Sequence, residues 1–141
     1  MFNPTRDQVR QFFFGTWAKY KSGQPLAGME TMALDVILLH PEYHAVLEAA
    51  ERSAERDYSP EMGETNPFLH MSLHLAIEEQ LSIDQPPGIR AAFDKLLRRK
   101  SERHAAMHAA LECLGEALWR AQHDGAPLDA QAYIECLRRT K

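Results

Sequence analysis

Apolar residues recur at intervals of three and four along most of this chain, and no segment alternates with period two. The pattern therefore predicts helices throughout and no strands. A first helix is expected from Pro4 to about Lys21, with Val9, Phe13, Trp17 and Tyr20 on one face and Phe12 and Phe14 widening it. Asn3 or Thr5 can cap it, Asp7 suits its positive end, and Lys19, Lys21 and Gly23 close it before an SGQP turn. A second helix is expected from about Leu26 to Leu39, packing through Met29, Ala33, Val36, Ile37 and Leu39. Proline disfavours helical geometry in the residue before it, so His40, ahead of Pro41, is read as the N-cap of a short helix running to about Arg52.

The polar stretch from Ser53 to Thr65 reads as a loop, whose Glu64 could fold back on the helix beyond it. That long helix is expected over residues 66–83, with Asn66 as N-cap and Pro67 at the first helical position, where its missing N–H costs nothing. DQPPG breaks the chain, and a helix from near Pro87 carries Ile89, Phe93, Leu96 and Leu97. A break is expected within RRKSER, with Ser101 capping a further helix to about Gln122. After HDGAP, Asp129 caps a last short helix through Ile134 and Leu137. The expectation is an all-α bundle of about six helices, four of them forming the core, in a single domain over residues 1–141.

On this helical frame one spacing repeats. His70, His74 and Glu78 are four apart, as are His104, His108 and Glu112, and His40, His44 and Glu48; six of the seven histidines lie in three copies of H-x3-H-x3-E. A chain of this composition would show one copy about 0.03 times by chance. Positions beside the motif agree as well: Tyr43, Leu73 and Met107 precede the second His, and Leu47, Ile77 and Leu111 precede the Glu. An apolar stripe thus runs beside each His/Glu line and turns the imidazoles toward an interior. Pro41 weakens the first copy, since His40 need not follow the helix that carries His44 and Glu48.

Composition narrows the setting. A chain of 141 residues, 45% hydrophobic and 26% charged, suits one globular domain with a core. A net charge of −4 argues against a general nucleic-acid binder, and no apolar run is long enough to span a bilayer. The opening MFNPTRDQVRQFFFGTW has no signal-peptide pattern, so a cytoplasmic protein is expected. Cys113 and Cys136 match no CxxC spacing, which suggests neither a zinc knuckle nor a disulfide; reduced thiols are expected. There is no phosphate loop, no HExxH and no nucleophile elbow.

Histidines at i and i+4 can grip one metal ion from a single helix face. A Glu at i+8 lies about 12 Å from the first His by helix rise, so it serves a second ion or an outer hydrogen bond. The candidate ligands are His44, His70, His74, His104 and His108, with Glu78 and Glu112 as ligands or bridges and His40 and Glu48 as further candidates. Nitrogen and oxygen donors without thiolate suit a divalent transition metal such as iron, zinc or manganese, in a mono- or dinuclear site. The competing expectation is a metal-free interaction module in which buried His/Glu hydrogen bonds satisfy both groups. Asp35 is an exposed residue or an outer partner of a histidine, and His123 favours a helix C-terminus. Arg98, Arg99, Lys100 and Arg103 read as a solvated helix end.

Taken together, MFNPTRDQVRQFF, ILLHPEYH, ETNPFLHMSLHLAIEEQLSIDQPPGIR and HAAMHAALECLGEALW resemble an uncharacterised family of small bacterial proteins known only as a domain of unknown function. That resemblance covers most of the chain; it implies a compact helical protein and transfers no activity. In residue types the site is loosely similar to haemerythrin-like bundle metalloproteins, which lack three such motif copies. Expected chemistry, if the centre is open, is oxygen, peroxide or hydrolytic chemistry on an unidentified small molecule. A homo-oligomer is left open.

Overall fold

In this computed structural model residues 6–53 and 66–141 are described, and among them all regular structure is helical. The chain forms two compact units, Met1–Leu75 and Ala76–Lys141, with the boundary inside one helix. The helices are α1 (Arg6–Lys21), α2 (Met29–Leu38), α3 (His44–Glu48), α4 (Ala50–Ser53), α5 (Pro67–Ile83), α6 (Ile89–Lys100), α7 (Arg103–Asp124) and α8 (Ala130–Arg139), with a 3-10 turn over Pro41–Tyr43. The expected all-α class stands. The expected caps Asn3 and Thr5, the start at Pro4 and most of the loop with Glu64 lie outside the described residues.

In the first unit α1 packs on α2 and α3. Its core joins Phe13, Phe14 and Trp17 of α1 to Ala33, Val36 and Ile37 of α2, Leu47 of α3, and Phe68 and Met71 of α5. The aromatic stripe of α1 is thus core, as its spacing predicts. Helix α2 starts at Met29 rather than Leu26 because Gly28, at φ +59, leaves helical geometry. The short helix expected from Pro41 to Arg52 is instead three pieces. Pro41 starts the 3-10 turn, and Ala49, at φ −106 and ψ 50, separates α3 from α4. These breaks account for most of the excess over six helices.

In the second unit α6, α7 and α8 pack pairwise. Ile89, Ala92, Phe93 and Leu96 of α6 are buried, as are Tyr133, Ile134 and Leu137 of α8. Asp84 accepts the Gly88 and Arg90 amides at 3.5 and 3.0 Å, and Gly88 sits at φ +95, so α6 begins at Ile89 rather than Pro87. The break before α7 falls where expected, but Ser101 has the opposite role. It ends α6 in left-handed geometry at φ +63, and Glu102 precedes α7. Asp129 caps α8 as expected, accepting the Ala132 amide at 3.0 Å.

One expectation is overturned. Cys113 on α7 and Cys136 on α8 form a disulfide, their Cα atoms 5.7 Å apart. A spacing of 23 residues carries no pairing signal until the two helices are known to lie side by side. No helix among the described residues is long and apolar enough to cross a membrane.

Candidate metal centre

The centre of interest starts from the N-cap of α5. The Asn66 side-chain oxygen accepts the Phe68 and Leu69 amides at 3.0 and 3.2 Å, and Pro67 follows it, so the helix begins at a fixed residue. Phe68 and Met71 point into the first unit's core, 2% and 0% exposed. One turn apart, His70 and His74 then lie side by side with Nε2 atoms 3.2 Å from each other. His74 is buried and His70 partly so.

His40 reaches the same place by a different route. Pro41 holds it out of helical geometry, at φ −127 and ψ 66, at the end of α2. There its Nδ1 lies 2.7 Å from the Val36 carbonyl oxygen. A carbonyl only accepts, so Nδ1 carries the proton, and the neutral ring keeps its lone pair on Nε2. That Nε2 is 3.2 Å from Nε2 of His70. The His40 ring also stacks on Tyr43 at 5.4 Å, whose hydroxyl is held above its ordinary pKa by burial and then by Glu42.

Three Nε2 atoms therefore meet in one small volume. Neutral imidazoles cannot turn both contacts into conventional hydrogen bonds. The His70 Nε2 is common to both; if it donates toward His40 it has no lone pair left for His74. A metal ion at about 2.0–2.1 Å from each nitrogen accepts all three lone pairs, and tetrahedral angles then set the nitrogens about 3.3–3.4 Å apart. The observed spacings are close to that value. The Val36 carbonyl is the kind of outer partner that orients a metal-bound imidazole and raises its basicity.

The other predicted residues are placed differently. His44 donates Nε2–H to the Ile37 carbonyl at 2.9 Å and stacks on Trp17 at 4.5 Å, a packing role in the α1–α2 core. Glu48 is exposed, 3.8 Å from Lys21. In the second unit the rings of His104 and His108, one turn apart on α7, lie 4.2 Å apart and tilted by 57°. Glu78 pairs with Arg103 at 2.7 Å, and Glu112 faces outward. Of the predicted apolar stripe, Leu47, Ile77, Met107 and Leu111 are buried, and Tyr43 and Leu73 are partly buried. The glutamates leave it because each four-residue step drifts about 40°, which carries the third motif position well round the helix. Asp35 is exposed, and His123 stacks on Trp119 at 4.9 Å.

Sequence reasoning missed two contributors. The Val36 carbonyl is main chain and leaves no mark in a side-chain pattern. Arg10 is 3% exposed; it donates to the Ser53 carbonyl at 3.1 Å and lies 4.6 Å over the Phe68 ring, tying α1 to α4 and to the first turn of α5. Its signal was available, since Arg10 shares the helix face of Phe13 and Trp17.

Comparison with known proteins gives one match. No curated protein and no solved structure matches this chain. A family model described as a domain of unknown function, DUF1841, matches residues 5–139. The chain belongs to that family, whose description assigns it no activity.

Proposed function

We propose that this protein binds a divalent transition-metal ion through Nε2 of His40, His70 and His74. The observation that carries the reading is that Nε2 of His70 lies 3.2 Å from Nε2 of both His40 and His74, with the His40 tautomer fixed by the Val36 carbonyl. Imidazole nitrogens with no carboxylate among them favour zinc or iron over manganese. Three or more protein nitrogens leave room for a bound water in a tetrahedral or larger shell. Such a water would open hydrolytic or oxygen chemistry, and a closed shell would make the centre structural. The reading includes a cytoplasmic setting, which requires that the Cys113–Cys136 bond be exchangeable, since reducing compartments keep thiols reduced.

The test is elemental analysis of untagged protein purified without chelators, followed by titration of the stripped protein with zinc and iron(II). Near-stoichiometric metal is expected in the native protein, with binding lost in the His70→Ala/His74→Ala variant. Folded protein that takes up neither metal would leave the metal-free interaction module as the better reading.

A further inference from the structure

The disulfide lies in the second unit and borders an open cleft of about 600 Å³ between α7, the turn after it and α8. Clefts of that size accommodate small molecules. Its two sulfurs are not equivalent. Both cysteines line the cleft, but Cys113 is 3% exposed whereas Cys136 is partly exposed. Attack on a disulfide proceeds in line through whichever sulfur a thiolate can reach, and that sulfur keeps the incoming group. Cys136 is the more exposed of the two residues, and so the one an incoming thiolate meets first.

Opening the bond need not undock α8. Tyr133, Ile134 and Leu137 of α8 are buried, and the Tyr133 hydroxyl donates to Gln80 at 2.7 Å, so the helix is held by more than the sulfur bridge. Arg99 donates to the carbonyl oxygens of Leu137 and Thr140 at 3.5 and 2.8 Å, holding the C-terminal end of the helix. The Thr140 hydroxyl oxygen stands 3.6 Å from the Cys113 sulfur, so a thiol released there has an acceptor beside it. The folded protein can therefore hold the bond open.

We propose that Cys136 is a site of reversible S-thiolation by a low-molecular-weight thiol entering from this cleft. The thiolate attacks Sγ of Cys136 and the Cys113–Cys136 bond breaks. The electron pair leaves on Sγ of Cys113, which takes up a proton. The products are a mixed disulfide on Cys136 and a free thiol at Cys113; attack by Cys113 on the mixed disulfide reverses the step and returns the small thiol. No net electrons are gained or lost.

The probe is reduced glutathione, added to the air-oxidised folded chain, with free thiols trapped by a neutral alkylating reagent and both positions mapped by mass spectrometry. Glutathione on Cys136 and the alkyl group on Cys113 are expected, with helicity unchanged by circular dichroism. Reaction with glutathione disulfide is expected to modify Cys113→Ser at Cys136, and to modify Cys136→Ser at Cys113 at least tenfold more slowly. The opposite mapping would overturn the proposal. So would a bond that opens only in denaturant, or thiols that form no disulfide in air. None of these outcomes depends on the metal content of the first unit.

Discussion

His40 and His44 are four residues apart in one motif copy, yet Nε2 of His40 lies 3.2 Å from Nε2 of His70 while that of His44 donates its proton to a carbonyl. Substituting them is expected to separate metal binding from stability. His40→Ala removes one of three nitrogens and is expected to lower zinc affinity by about a hundredfold or more, since even outer-sphere losses cost about 10–100-fold. His44→Ala is expected to keep zinc affinity within a few-fold and to lower stability by about 1–2 kcal/mol through the lost hydrogen bond and Trp17 contact. Calorimetric titration and denaturant melts on the two variants check both. The sequence reading ranked His44 ahead of His40, because Pro41 was expected to turn His40 out of the helix that carries His44. Pro41 was the legible warning, and it acted on His40 as expected; that this would bring His40 to the site rather than remove it depends on where α2 ends.

At the scale of elements, caps decide where ligands stand. Asn66→Ala removes the acceptor for two amides at the start of α5 and is expected to cost about 1 kcal/mol, read from denaturant melts. Ser101 offers the opposite case. Its φ of +63 is a conformation that L-residues adopt at a cost, so Ser101→Gly is expected to stabilise the second unit by about 0.5–1 kcal/mol. A rise in melting temperature checks it. Long helices were legible here because their apolar period and caps act within a few residues, as at α5 and α8. The pieces around Ala49 and the start of α6 were not, because they turn on single backbone angles and on the Asp84 side chain reaching forward to Gly88 and Arg90. The disulfide was hidden for a related reason: it reports which helices are neighbours, and periodicity says nothing of that.

For the molecule as a whole, pH reaches stability through a buried hydroxyl. Burial raises the pKa of Tyr133 well above its ordinary value of 10.0. A raised pKa means that the unfolded chain gives up this proton first. The contribution is therefore complete below about pH 10 and declines as pH climbs from there toward the folded value. Melting temperature is expected to fall above pH 10, and Tyr133→Phe to flatten that decline while costing about 1 kcal/mol at neutral pH through the lost bond to Gln80. Thermal melts of both chains across the alkaline range check the sign.

The contact between His40 and Val36 has a consequence for how this centre can change over generations. Most outer partners of metal-bound imidazoles are carboxylates, which one codon change can delete. Here the partner is a peptide oxygen that every residue type supplies, so substitution at position 36 leaves it in place as long as α2 keeps its course. The orientation of this imidazole is thus insulated from side-chain drift. It is exposed instead to insertions or deletions between Val36 and Pro41, where a shift of one residue would misalign donor and acceptor together.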